Sequence, residues 1–199
     1  GTADDGPLVA EVVGTGGATE EFLDRWRTPG DAGSKLWEER FGETRYVALG
    51  VAAWEDALKA AGLTADQVDR VVIATSHARA ATTLGKKLAL GDRLLAGLDA
   101  TVGFSGAAQP GLLLAHALDD AAPGQTVALV VLADGADVVL FRTTDALAGR
   151  RPSPSVADQV EAGAPVGYGK YLAWRGFLPV EPPRRPEPAR PSAAAAGRS

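Results

Sequence analysis

Two strongly apolar runs, residues 126–133 and 136–143, restrict the folds open to this chain more than any other feature. Asp134 and Gly135 join them. Asp-Gly is a favoured two-residue hairpin turn, because both central positions of that turn need a positive φ. We therefore predict a buried antiparallel hairpin. Strands this apolar belong to a sheet on which helices pack.

The first 147 residues alternate apolar blocks with short turn signals, which predicts an α/β domain with a mixed sheet. Further strands are predicted at residues 8–13, 71–74 and 100–103, and helices from Thr19 to before Pro29, at 79–90 and at 107–121. Another helix is predicted where Val47, Val51, Trp54, Leu58 and Ala61 share one stripe that Gly62 closes. Thr64 and Gln67 form a predicted capping box. The glycines at 14–17 lack dinucleotide-loop spacing and are interpreted as a turn.

Composition excludes several classes of protein. The chain has 199 residues, 46% of them hydrophobic, and a net charge of −5, which argues against a broad nucleic-acid or anionic-membrane surface. The absence of cysteine excludes a disulfide framework, a thiolate zinc site and a cysteine nucleophile within this chain. No metal-ligand motif is visible and no apolar run approaches membrane-spanning length, so we expect a cytoplasmic protein. The missing methionine fits either an excised initiator or a chain cut from a longer one.

The C-terminal part differs in kind. Nine of the 13 prolines lie between Pro152 and Pro191. We predict a folded domain over residues 1–147, a docking segment over 148–178 and an extended Pro-rich tail over 179–199, because proline lacks an N–H and disfavours helix at the preceding residue. A polyproline spacer is favoured over an SH3-type ligand as the role of that tail.

Two histidines are present. His116 lies in an apolar helical stretch and is interpreted as a core or helix-surface residue. His77 follows the carboxyl end of a predicted buried strand, where ligands of open α/β sheets bind. An imidazole there can transfer a proton or donate its N–H to an oxyanion, and it can equally cap the following helix.

A second loop at a strand end spans residues 101–110 and contains Gly103, Phe104, Ser105 and Gly106. Its small residues would let a ligand or the backbone approach closely, although tight packing between strand and helix requires the same glycines. Ser105 could offer a hydroxyl to a substrate, or stabilise the turn.

The order of these features resembles the C-terminal half of the thiolase superfamily. The chain is similar to ketoacyl-ACP synthase III and hydroxymethylglutaryl-CoA synthase in the strand-end histidine, the glycine loop before a Leu-rich helix, and Pro123-Gly124 leading into the Asp134-Gly135 hairpin. The stretches at 19–27 and 40–46 resemble the segment that joins the two halves in archaeal-type synthases. The fold implied is one half of a thiolase-like fold with an extended Pro-rich tail.

The resemblance implies chemistry on acyl-CoA or acyl-carrier-protein substrates, namely acyl transfer with C–C bond formation. In that family a cysteine from the other half takes the acyl group, and a histidine and an asparagine polarise the second thioester. His77 matches the histidine, with Ser105 as a further catalytic candidate and Gly103 and Phe104 as substrate contacts. Phe104 stands at the asparagine position, which leaves three alternatives: a diverged active site, a retro-aldolase with His77 as base, or an inactive site.

The tail implies a partner. Residues 168–186 resemble the tail of thiolase-like proteins that work with a zinc-ribbon/OB-fold acyl-CoA-binding domain, so Tyr171, Trp174, Arg175 and Phe177 are candidate docking residues. They could instead dock back on the parent domain. A homo- or hetero-oligomer is expected, with coenzyme A thioester as substrate and no cofactor bound in this chain. Arg79, Lys86 and Lys87 could meet a CoA phosphate, or form a solvated helix face.

Overall fold

The computed structural model describes residues 6–149, 151 and 153–181, which divide into one unit through Ala162 and a second from Gly163. The predicted tail from residue 182 onward lies outside the described residues. In the first unit the strands are β1 (Ala10–Ala18), β2 (Arg25–Trp26), β3 (Lys35–Leu36), β4 (Arg70–Thr75), β5 (Thr126–Leu132) and β6 (Ala136–Thr143). Its α-helices are α1 (Glu39–Ala61), α2 (Ala78–Lys87), α3 (Gln109–Asp119) and α4 (Val156–Glu161), and the second unit contains α5 (Tyr168–Trp174). The division at residues 147 and 148 stays a prediction.

A four-stranded sheet in the order β1-β6-β5-β4 organises the first unit. β4 and β5 are parallel, with Thr75 opposite Leu132, whereas β5–β6 and β6–β1 are antiparallel. The predicted α/β class with a mixed sheet is confirmed. Because β4 and β5 run the same way, their carboxyl ends share one edge of the sheet.

The sheet is covered on both faces. One apolar cluster joins α1 and α2 to the sheet through residues such as Trp54, Leu84 and Val130, and a second joins α3 through Leu113 and Val127. Successive residues of β4 alternate between the two clusters, as the strand pleat requires. The helix closed by Gly62 and the Thr64–Gln67 capping box are both present, and Gly62 has φ 64°.

The glycines at 14–17 form no turn, so that interpretation is wrong. They continue β1 directly beneath α1. A Cβ on Gly16 would stand 2.3 Å from the Ala53 carbonyl oxygen, and one on Gly14 would stand 2.7 Å from the Ala61 Cβ. The strand and the helix therefore approach so closely that only glycine fits.

Two other predicted elements are also wrong. Residues 19–24 are not helical and lead into β2, because side chains at alternate positions, such as Phe22 and Asp24, turn inward and tertiary contacts override the local helix signals. Residues 100–103 form a turn in place of a strand, since the N–H groups of Thr101, Val102 and Gly103 all donate to the Leu98 carbonyl. β4 is the last strand of the sheet, and on its outer edge the described residues form one isolated parallel bridge, between Val71 and Leu94.

The β5–β6 hairpin is confirmed, but its turn is not the predicted one. Leu132 pairs with Ala136, which leaves a three-residue loop, and neither Asp134 nor Gly135 has a positive φ. Gly135 is needed for another reason: a Cβ there would stand 2.8 Å from the Ala18 carbonyl oxygen. Within the residues described, no helix is both long and apolar enough to span a bilayer.

Candidate functional site

His77 lies two residues beyond β4 and forms the N-cap of α2. Its backbone N–H donates to Thr75 Oγ1 at 3.1 Å, and its Nδ1 accepts from the Ala80 N–H at 3.1 Å. The other ring nitrogen, Nε2, lies 2.9 Å from the carbonyl oxygen of Glu39 at the start of α1. The predicted capping role is therefore present, and the ring also links the beginnings of two helices.

These contacts determine what the ring can offer. Because Nδ1 accepts a hydrogen bond and Nε2 faces a carbonyl oxygen, the proton of the neutral ring belongs on Nε2. Nε2–H is then a donor aimed at Glu39. A substrate oxygen that replaced this carbonyl would receive the same hydrogen bond, while the lone pair needed by a general base is occupied at Nδ1.

Three residues around His77 lie in the stretches 19–27 and 40–46, and the sequence analysis predicts none of the three as a site residue. Gly42 faces the ring closely enough that a Cβ would stand 3.1 Å from His77 Cδ2 and 3.3 Å from Asp24 Oδ2. The Tyr46 hydroxyl donates to Asp24 Oδ1 at 3.1 Å, and the Tyr46 ring packs edge-on against His77. Burial, followed by the nearby Asp24 carboxylate, raises the pKa of Tyr46, so this phenol stays protonated.

An open cleft of about 420 Å³ adjoins the ring of His77. Its lining includes Asp24 directly before β2, Trp37 directly after β3 and Ser76 directly after β4. The cleft therefore holds an N–H donor, a carboxylate and an apolar wall at the carboxyl edge of the sheet. That position is the one predicted for ligand binding.

Beside the cleft, α1 and α2 are joined through Glu43. Glu43 accepts from Thr83 Oγ1 at 2.7 Å and pairs with Arg79 Nε at 2.5 Å. The Thr83 hydrogen bond and the Arg79 charge hold the pKa of Glu43 below its usual value. Arg79 is thus engaged with a carboxylate, while Lys86 and Lys87 are exposed in the last turn of α2.

The glycine loop, residues 101–110, also lies at the carboxyl edge of the sheet. Gly103 and Gly106 have φ of 81° and 63°, which a β-carbon disfavours. The backbone N–H and hydroxyl of Ser105 both donate to Gln109 Oε1, at 3.0 and 2.7 Å. This is the turn-stabilising role considered for Ser105.

Phe104 is half exposed and lines a separate pocket of about 310 Å³. The other lining residues come from the ends of β4 and β5 and from the start of α3; they are Ala74, Thr75, Gly106, Ala107, Gln109, Pro110, Val131, Leu132 and Ala133. Among the described residues, those that line this pocket include no acidic or basic side chain.

The structure thus brings the sequence-predicted residues to one sheet edge but not into one cavity. His77 lines the first cleft and Phe104 the second pocket, and Thr75 connects them by lining the pocket and accepting the His77 N–H. His116 lies on α3, partly buried and away from both. The roles predicted for His77, Ser105, Gly103 and Phe104 stay predictions.

The predicted docking residues lie in the second unit. Trp174 and Phe177 are 68% and 65% exposed, and Tyr171 and Arg175 are exposed as well. Tyr168 stacks on Tyr171 within α5. This unit therefore presents a run of aromatic side chains to solvent.

No protein-family model matches this sequence, and no curated protein matches it either. Solved structures do match. MvaS in complex with 3-hydroxy-3-methylglutaryl coenzyme A is 20% identical with a TM-score of 0.63, over 87% of this chain and 52% of that one. HMG-CoA synthase complexed with CoA is 14% identical with a TM-score of 0.61, over 79% and 45%. The 3-oxoacyl-(acyl carrier protein) synthase III of Pseudomonas aeruginosa PAO1 is 18% identical with a TM-score of 0.57, over 67% and 44%.

This chain thus shares its fold with part of these solved HMG-CoA synthase and 3-oxoacyl-(acyl carrier protein) synthase III structures, as the sequence resemblance predicts. The chain spans about half the length of these structures. At such low identity the likeness establishes the fold, and the chemistry of the site has to be argued from this chain's own residues.

Proposed function

We propose that this chain, one half of a thiolase-type fold, handles acyl-CoA or acyl-carrier-protein thioesters in acyl transfer with C–C bond formation. The observation that carries the proposal is the Nε2–H of His77, held over a cleft at the carboxyl edge of β4. Two of the solved structures with this fold contain coenzyme A or its thioester. A fixed N–H donor of this kind can polarise a thioester carbonyl.

In this proposal the carbonyl oxygen of the substrate replaces the Glu39 carbonyl as the acceptor for His77 Nε2–H. Charge that develops on that oxygen as the C–C bond forms is stabilised by a donor already oriented through Ala80 and Thr75. Orientation of this kind is worth a factor of about 10² to 10³ in rate per donor.

A second half is part of the proposal. α3 is apolar on nearly all sides, yet only Gln109, Leu113 and Ala117 are buried within this chain. Leu112, Leu114 and Leu118 keep partial exposure. A further layer packed on α3 would cover them, and the half supplying that layer would also supply the nucleophile that a cysteine-free chain lacks.

A retro-aldol reaction is the alternative chemistry, and Asp24 favours it. Its Oδ1 accepts from Tyr46, and its carboxylate lines the same cleft as His77. A carboxylate in this position can take the proton of a β-hydroxyl, which the imidazole, with Nδ1 occupied, does not. The partner in this case is a zinc-ribbon/OB-fold subunit docked on Tyr171, Trp174, Arg175 and Phe177.

A non-catalytic interaction subunit is the third candidate, favoured by the pocket around Phe104. Phenylalanine offers no hydrogen bond at the position where the resembled family has asparagine. In the part of the chain that the structure describes, no titratable side chain lines this pocket. In that case the exposed aromatic residues of the second unit bind the partner, and thioester turnover belongs to other subunits.

Turnover by the complete assembly of this chain with its complementary half separates these candidates. His77→Ser keeps an N-cap acceptor and removes the imidazole donor, so turnover should fall about 10²-fold or more without unfolding. His116→Ser, at the other histidine, is the matched control. Full activity of His77→Ser would reject a catalytic His77. Loss of the partner when residues 168–178 are deleted, with turnover indifferent to His77, would favour the interaction subunit.

A further inference from the structure

An exposed apolar groove of about 510 Å³ lies beside the His77 cleft. It is lined by Leu23, Trp26, Trp37 and Phe41. Leu23 and Trp37 are 64% and 60% exposed, and the Trp26 and Trp37 rings lie 6.0 Å apart. Its volume is within the range of small-molecule sites, and none of its lining side chains is charged.

The groove is continuous with the cleft through Trp37, which lines both. The backbone fixes this wall, because the Trp37 N–H donates to the Asp24 carbonyl at 2.7 Å and extends the β2–β3 pair. Phe41 at the far side is held in α1, with its ring against Phe22. A ligand whose polar end lies at His77 can therefore extend an apolar part into the groove.

The negative charge of the His77 cleft disfavours binding of an anionic group there. Asp24, Glu38 and Glu39 line the cleft, and among the described lining residues Arg25 is the one Lys or Arg. The phosphates of a ligand would be repelled by the net negative charge of the cleft. A hydrocarbon chain in the neighbouring groove would contact uncharged side chains. The occupant favoured by both surfaces is an uncharged chain attached to a polar carbonyl.

We propose that this groove binds the hydrocarbon part of a medium- or long-chain acyl thioester, with Trp37 as the wall between chain and carbonyl. The inference rests on the proposed function and adds the substrate class to it. Each methylene buried in the groove should strengthen binding about fourfold, so chain length should set affinity until the groove is full.

The test measures binding of S-butyryl-, S-octanoyl- and S-dodecanoyl-pantetheine to the full chain by calorimetry and tryptophan fluorescence. These probes carry no phosphate, so only the thioester and its chain are compared. Octanoyl-pantetheine should bind at least about tenfold more tightly than butyryl-pantetheine. Trp26 and Trp37 line the groove and should report the binding, while buried Trp54 and Trp174 of the second unit should emit unchanged.

Two groove variants and two controls identify the site. Trp26→Ala and Leu23→Glu, at residues that line the groove and not the cleft, should remove the chain-length dependence and leave butyryl-pantetheine binding within about twofold. Trp174→Ala and Leu178→Glu make the same changes at exposed positions of the second unit. They should change neither the chain-length dependence nor the binding of butyryl-pantetheine.

Binding that does not depend on chain length, or that ignores both groove variants, would overturn the groove and leave the proposed function intact. Failure of even butyryl-pantetheine to bind would reject both. Analytical ultracentrifugation tests whether a second copy of the chain occupies the groove instead. If the chain forms a dimer that Leu23→Glu dissociates and that thioesters do not, the groove is a dimer interface and the proposal is overturned.

Discussion

Gly42 and His77 touch: a Cβ added to Gly42 would stand 3.1 Å from His77 Cδ2 and 3.2 Å from Nε2. The glycine lies in the first turns of α1, four residues before Tyr46, whose ring also packs on the imidazole. The start of α1 is thus shaped around the ring that caps α2. The hydrogen bond from His77 to Glu39 depends on that missing side chain.

Gly42→Ala should disturb this contact. Alanine favours helix by up to about 1 kcal/mol, but the new methyl must displace the imidazole from Glu39. We expect little gain in unfolding free energy and an altered His77 Nε2–H signal in ¹⁵N NMR. Gly111→Ala in α3, where a Cβ meets nothing within 4 Å, is the control and should gain the helix preference without changing His77. Equal gains with an unchanged His77 signal would contradict the contact.

Gly16→Ala tests the close approach of β1 and α1. The methyl would lie 2.3 Å from the Ala53 carbonyl oxygen and 2.4 Å from the Ala57 nitrogen, both backbone atoms of one helix. We expect a loss of about 3 kcal/mol or more in unfolding free energy. The Cβ of Gly17→Ala would lie 3.4 Å from Asp137 Oδ1 and 3.8 Å from the Ala136 carbonyl oxygen, so this variant should cost about 0.5 kcal/mol. Similar denaturation midpoints for the two variants would show that the strand can move away.

Glu43 should make stability depend on acid pH. Its pKa is lowered in the folded chain, first by Thr83 and then by Arg79. The stabilisation is therefore present above the unfolded-state pKa of Glu43 and is lost as the pH falls through its lowered folded-state pKa. Glu43→Gln should flatten that part of the curve of unfolding free energy against pH. An exposed control, Glu55→Gln in the same helix, should leave the curve as it is.

Tyr46 should behave in the opposite direction at alkaline pH. Burial and Asp24 raise the pKa of this phenol, so its contribution to stability is complete below about pH 10 and is lost as the pH rises further. Tyr46→Phe should weaken the fold at neutral pH. In an alkaline titration, the phenolate absorbance that develops before unfolding should be the same for Tyr46→Phe as for the unmodified chain. A drop in that absorbance would mean that Tyr46 ionises in the folded state.

The parts of the fold that local rules determine could be predicted. The helix ending at Gly62, the Thr64–Gln67 box and the apolar hairpin all depend on neighbouring residues, and all three are present. The glycines of β1 could not be interpreted correctly from their neighbours. Their function is to let α1 approach, and the residues that require this, Ala53 and Ala57, lie more than 35 positions away.

The candidate site divides in the same way. His77 could be located because a polar residue directly after a buried strand is a local signal. Asp24 and Tyr46 could not be located, because they are 22 residues apart in the sequence. In addition, the residues around Thr19 favour a helix locally, whereas the chain there is extended. The inward orientation of Phe22 and Asp24 at alternate positions is a property of the folded chain, and no local pattern in residues 20–26 indicates it.

Ring ¹⁵N and ¹H resonances of the two histidines test the central claim most directly. The full chain, labelled at histidine, is titrated with S-acetyl-pantetheine, which carries the thioester without phosphates. The account predicts that the His77 Nε2–H resonance shifts as the thioester carbonyl replaces Glu39, with His116 unchanged. A saturating titration in which His77 stays fixed, or in which both histidines shift alike, would contradict it.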